Sequence, residues 1–194
     1  MAVKPQPTKW FIKGLQHNVQ MPLYPTLVRG WLSTVSSDPA SVRILSILAG
    51  ILLIPALFLL GKTLSETHHN PSPSSKNVLH SQLSIHDVTG LMLASIGTVS
   101  GFHLIYSQTA RVYALLTLFA VTASWLLLKL LSSSNDHKRY TVGYVLVSIL
   151  GFYSHYFYTL ILVFHVLWST LSLWQAPQKH WKCIIVSFAT IGVF

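Results

Sequence analysis

Charge is what this sequence has least of. Only 9% of its residues are charged and only four are acidic, where an ordinary soluble domain carries about a quarter charged residues. So few ionic groups cannot supply the polar skin of a soluble globular enzyme. Cysteine is nearly absent as well. The single Cys183 excludes an internal disulfide framework and any zinc site built on paired cysteines. There is no nucleophile elbow, no phosphate-cradling glycine loop, no pair of neighbouring carboxylates and no His-Glu-x-x-His. The ten histidines therefore suggest no metal site, and no cofactor is expected.

What is abundant is apolar surface. Hydrophobic residues make up 52% of the chain, with a mean hydropathy of +0.54. A chain this apolar and aromatic does not stay disordered; it calls for an integral membrane protein. The net charge of +9 is scattered between apolar runs and forms no single stripe. That pattern points away from nucleic acid and toward loops on the cytoplasmic face of a membrane.

The charges divide the chain into runs. Ile44–Gly61, Val88–Ala110 and Val112–Leu128 are each free of charge, and so is the long stretch Tyr140–Gln178. A helix needs about 20 residues to cross the hydrocarbon, so the last stretch holds two spans. Their turn falls at Gly151–Tyr156, where aromatics suit the interface. A final apolar run begins at Cys183. The expected fold is all-α, a polytopic transmembrane helix bundle of about five full spans plus a truncated sixth. Residues 1–42 form an external N-terminal segment in which Met21–Leu32 makes a short interfacial helix, with Arg29 snorkelling. Residues 43–194 form the bundle, with a disordered, Ser/Pro-rich cytoplasmic loop near 63–85.

Orientation follows from the lysines and arginines. Lys62, Lys76, Lys129, Lys138, Arg139, Lys179 and Lys182 all fall on one side of such a bundle, which the positive-inside rule makes cytoplasmic. The localisation expected is the plasma (inner) membrane with the active face outward. The N-terminal segment breaks the pattern, because it carries Lys4, Lys9, Lys13 and Arg29 outside. The chain reads as if it began one helix late.

Chemistry concentrates in the two external turns. Arg111 opens a span after Ser107-Gln108-Thr109, with Tyr106 and Tyr113 on either side. An arginine there is either an anchor reaching the interface or a cavity-facing ligand for an anion. The neighbouring donors suit phosphate or sugar oxygens, and guanidinium pairs bidentately with phosphate. His155, between Ser154 and Tyr156, is either an interfacial imidazole bonded to a neighbour or a contact to substrate in the same cavity. His103 and His165 fall inside spans, where a cross-helix hydrogen bond is expected. Asp38 lies outside, but Ser36-Ser37-Asp38-Pro39 reads as a turn or cap.

The order of these segments resembles the GT-C superfamily of membrane glycosyltransferases, in its family-39-like, dolichyl-phosphate-mannose mannosyltransferase-related group. Met21-Pro22-Leu23-Tyr24 through Trp31 is similar to that family's Pro-Pro-Leu-Tyr-Tyr…Trp segment. Arg43-Ile44-Leu45-Ser46, Gly50, Pro55 and Leu60-Gly61-Lys62 match its following helix. Ser107-Gln108-Thr109-Ala110-Arg111-Val112-Tyr113-Ala114-Leu115 is close to its Ser-Gln-Glu-Ala-Arg-x-Tyr-Ala-Leu motif, and Tyr153-Ser154-His155-Tyr156-Phe157 looks like its Tyr-Thr-His-Tyr-Phe turn. The chain departs from the pattern at Pro25, usually tyrosine, and at Thr109, usually glutamate.

The resemblance implies transfer of a sugar from a polyprenyl-phosphate donor to an acceptor on the outer face. Arg111, Gln108, Tyr113 and His155 would bind substrate. The family's catalytic aspartate sits in a loop after a first helix that has no counterpart here, so the chain resembles an internal fragment and is expected to be inactive alone. The catalytic residues are unassigned. Besides the lipid bilayer and the lipid-linked sugar, a partner chain that supplies the missing helix is one expectation. The alternative is a small polytopic membrane protein with a transport or assembly role and no catalysis.

Overall fold

The computed structural model describes residues 21–35, 38, 41–68, 84–101, 112–132, 137–175 and 181–193. Among them the chain is all-α, as its periodicity and composition require. The helices are α1 (Leu23–Thr34), α2 (Val42–His68), α3 (Ile85–Val99), α4 (Tyr113–Ser132), α5 (His137–Ser154), α6 (Tyr158–Gln175) and α7 (Trp181–Val193). Two stretches are long and apolar enough to cross a membrane, Val42–Thr67 and Tyr113–Ser132, while Ile85–Val99 and Tyr158–Ser172 are apolar but shorter.

Small residues and local polar groups set the ends and crossings of these helices. Ser84 caps α3 by accepting the His86 N–H at 3.3 Å, and Asp87 stands in the first turn, where its charge suits the helix dipole. α2 and α3 meet backbone to backbone. A Cβ on Gly90 would lie 2.7 Å from the Phe58 carbonyl oxygen, and one on Gly61 only 3.1 Å from the Gly90 Cα. There is no room for a side chain at Gly90 and very little at Gly61, the device by which helices approach closely when apolar burial alone does not drive them together. Pro55 lies on the exposed face of α2, and the helix runs through it. α2 also runs to His68, past the expected loop start at residue 63; its last turns are held by side-chain bonds to α3 and α4. Residues 69–83 lie outside the described residues.

α2 packs against both α3 and α4, α4 packs on against α5, and α7 returns against α5. The core forms around Ala123, Leu126 and Leu127 of α4, Tyr144 of α5 and Tyr158 of α6, with Phe188 and Ile191 of α7 packed on it. The Tyr158 ring lies over Gly151, where any side chain would collide with it. α5 and α6 are joined by a tight turn, closed by His155 N–H to Gly151 O at 3.2 Å and Tyr158 N–H to His155 O at 2.9 Å.

The helices run up and down. At one end Lys62 of α2 bonds Asp87 of α3 at 2.7 Å, Lys129 of α4 bonds Glu66 of α2 at 3.2 Å, and His86 meets Ser65 at 3.0 Å. At the other end Tyr113, which opens α4, meets His155, which follows α5. α1 packs on α2 and α5, with Tyr24 facing Ser46 near the start of α2, and so sits at the Tyr113 end.

Large apolar side chains cover much of the outer face, and several polar side chains are buried beside the apolar core. Met92, Ile96 and Val99 of α3, Leu160 and Leu167 of α6 and Trp174 all stand more than half exposed. Inside, Ser46, Thr63, Ser148, Ser154, His165 and Ser169 are buried. Trp125 donates its indole N–H to Thr63 at 3.2 Å, and the Tyr158 hydroxyl donates to Ser148 at 3.4 Å.

Candidate functional site

The centre of the bundle holds one buried imidazole whose proton can be located. His165 on α6 is 1% exposed. Its Nε2 lies 3.0 Å from Ser124 Oγ of α4, and its Nδ1 lies 3.1 Å from the Tyr144 hydroxyl of α5. Ser124 already donates its only hydrogen to the Ala120 carbonyl at 2.9 Å. It therefore accepts from His165, so Nε2 carries the proton and Nδ1 accepts from Tyr144. Three helices are tied together through one neutral ring, and the Tyr144 ring is in turn met edge-on by Phe188 of α7 at 5.9 Å. The sequence expectation of a cross-helix bond is met for His165. Its two partners were not foreseen, because Ser124 and Tyr144 sit on different helices and no spacing links them to it. His103 lies outside the described residues.

Of the four substrate residues expected, the structure brings two together. Tyr113 and His155 have ring centroids 5.8 Å apart, tilted by 39°. α4 begins at Tyr113 and α5 ends at Ser154, so the antiparallel pairing of the two helices puts both residues at the same end. His155 is half-buried and stacks on Tyr156 at 4.6 Å and Phe157 at 5.0 Å. Tyr156 and Phe157 are themselves about half exposed, at 49% and 47%. The buried Ser154 hydroxyl beside them has no hydrogen-bond partner among the described residues. Gln108 and Arg111 lie outside the described residues, as does Asp136.

Asp38 behaves as the turn that its neighbours suggest. Its carbonyl accepts the Ser41 N–H at 3.0 Å and the Ser41 hydroxyl at 2.7 Å at the entrance to α2. The other two described acids, Glu66 and Asp87, are engaged by lysines at the far end of the bundle. The Lys62 hydrogen bond and charge hold the Asp87 carboxyl below its ordinary range. No cluster of His, Cys, Asp and Glu suited to a metal occurs among the described residues.

The geometry thus offers two different polar constellations. One is a closed network in the core, in which every donor and acceptor of the imidazole is used. The other is a half-open aromatic and imidazole surface at the end of the bundle. Comparison with protein-family models, with curated proteins and with solved structures finds no match to this chain.

Proposed function

We propose that this chain is a polytopic membrane protein whose helices cross the bilayer with the Tyr113–His155 end outward. We further propose that this end contributes the donor-binding part of a glycosyltransferase of the kind its sequence resembles. The membrane reading is supported by the apolar outer faces of α3, α5 and α6, which lipid accepts without penalty. The 20 residues of α4 span about 30 Å, the thickness of the hydrocarbon layer. The exposed Lys138 and Arg139, at the start of α5, share an end with Lys62 and Lys129, so the positive-inside rule puts that end in the cytoplasm.

The observation that carries the site is the contact of Tyr113 with His155 across two helices. The resemblance groups these residues with Arg111 and Gln108. Together they would present a guanidinium, an amide, a phenol and an imidazole to a sugar carried on polyprenyl phosphate. Transfer breaks the bond between the sugar's anomeric carbon and the phosphate oxygen and forms one to the oxygen of an acceptor hydroxyl, whose proton leaves to the departing phosphate or to solvent. Charge accumulates on the departing phosphate, and a fixed cation lowers the barrier by stabilising it there. That is the part assigned to Arg111, while Tyr113 and His155 hold the ligand beside it.

The test is binding of a short-chain polyprenyl-phosphate sugar to the chain in lipid nanodiscs. Arg111→Ala should weaken it by about ten-fold or more, since a hydrogen bond to a charged group contributes about 1.5–3 kcal/mol. Donor binding that is unchanged in Arg111→Ala removes the transferase reading of this end. The membrane reading is tested separately by resistance to alkaline extraction from membranes; a chain released by alkali is not integral.

A further inference from the structure

The turn between α5 and α6 decides where the proton sits on His155. The Phe157 backbone N–H donates to His155 Nδ1 at 3.1 Å. A ring nitrogen that accepts a hydrogen bond presents its lone pair, so in the neutral imidazole the proton is on Nε2. The other tautomer would oppose two N–H groups inside one turn. The turn has little freedom to relieve that opposition. Beside the two bonds that close it, Thr159 N–H bonds Tyr156 O at 3.0 Å and Leu160 N–H bonds Phe157 O at 3.1 Å. The ring plane is held as well, by stacking on Tyr156 and Phe157 and by Tyr113 from α4. Nε2 has no partner among the described residues.

We propose that His155 works as a neutral hydrogen-bond donor, offering Nε2–H to an acceptor oxygen of the ligand at this end, and that it is not the general base. The proposal rests on the reading of this end as a ligand site and adds the role of one residue in it. A general base must turn a lone pair toward the proton it takes. The only lone pair of neutral His155 is at Nδ1, and the main chain occupies it. A donor already held in place by the turn needs no reorganisation when the ligand arrives. The chemistry it recognises is an acceptor oxygen, present both on a lipid-linked phosphate and on a sugar.

Nitrogen-15 histidine NMR of the full chain in nanodiscs, assigned with His155→Gln, reads the tautomer directly on the wild-type protein. The same sample is then titrated separately with citronellyl phosphate and with a methyl hexoside. The expected result is an Nε2–H tautomer whose Nε2 signal moves with one of the probes. Movement with the phosphate alone names the lipid phosphate as the acceptor, and movement with the glycoside alone names the sugar. His155→Gln keeps a donor and should bind that probe within about three-fold of wild type, whereas His155→Glu, which only accepts, should lose about ten-fold or more. An Nδ1–H tautomer, or His155→Glu binding as tightly as wild type, overturns the donor role, while a surviving ligand-induced shift upholds the site. An Nε2–H tautomer that responds to neither probe overturns the site reading and the donor role with it.

Discussion

Replacing His165 with leucine should reveal how three helices share one ring. The substitution leaves Ser124 satisfied, because its hydrogen already goes to Ala120 O. It takes from the fully buried Tyr144 hydroxyl its partner 3.1 Å away and leaves it only the bond to Ser148. Losing that hydrogen bond should cost about 0.5–1.5 kcal/mol. Tyr144→Phe removes the same bond from the other side and strands the Nδ1 lone pair, with a loss of similar size. The double variant loses the Tyr144–His165 bond only once, so it should be less destabilised than the sum of the two. Within membrane bundles such coupling averages about 0.6 kcal/mol and reaches about 1.7. The assay is reversible unfolding in mixed micelles, arranged as a double-mutant cycle on wild type, both single variants and the pair. Additivity of the two single losses would refute the assigned bond. Ser124→Ala strands the buried His165 N–H and should also cost about 1–3 kcal/mol; a Ser124→Ala variant as stable as wild type would refute the bond from Nε2–H to Ser124.

Gly90→Ala should destabilise the chain by about 1–3 kcal/mol in the same assay, because its new Cβ would stand 2.7 Å from the Phe58 carbonyl oxygen. Gly143→Ala is the control: its Cβ meets only flexible Leu126 methyls at 3.4 and 3.5 Å, so it should be neutral or gain up to about 1 kcal/mol of helix propensity. Acid should loosen the α2–α3 pair. Asp87 has its carboxyl pKa lowered from 3.8 by the Lys62 hydrogen bond, so its contribution is fully present above the unfolded value and is lost as pH falls through the lower folded one. Asp87→Asn should abolish that acid step in a melting-temperature profile and lower stability at neutral pH. In a Cys183→Ala background, single cysteines at Lys138 and Tyr156 should label from opposite faces of sealed vesicles with a membrane-impermeant maleimide; labelling from the same face would refute the up-and-down crossing.

Much of the helical framework can be read from the chain because charge is so scarce in it. Lys129 and Arg139 bracket the end of α4 and the start of α5 within a few residues, since a charge marks where an apolar helix stops. The α5–α6 turn is legible at His155 because aromatic and small polar residues interrupt a run with no other break. A short helix is present where one was expected over Met21–Leu32, as α1, Leu23–Thr34. The end of α2 is not legible in the same way. Lys62 looks like the start of a loop, but its ammonium finds Asp87, and Ser65 and Glu66 find partners on α3 and α4. Those contacts join residues far apart in sequence, and tertiary bonds of that kind override a local stop signal. The core network was hidden for the same reason. Serine and tyrosine in an apolar helix give no periodic signal of which neighbour they will meet. At the candidate site, the pairing of Tyr113 with His155 was expected from motif order, whereas the proton on His155 depends on a backbone hydrogen bond that no residue pattern announces.

The clamp between α2 and α3 uncouples the bundle from the length of the segment joining them. The last turns of α2 and the first of α3 are fixed by Lys62 to Asp87 and Ser65 to His86, above a crossing with no room for a side chain at Gly90 and little at Gly61. The two chain ends are thus held together by their own contacts, and a longer connection adds only closure entropy, about 0.6 kcal/mol for each doubling. Residues 69–83 are accordingly the place to splice in an epitope, a fluorescent domain or a purification handle, leaving the register of both helices as it was. A foreign domain carried there would ride on the face that bears the lysine and arginine cluster, away from Tyr113 and His155.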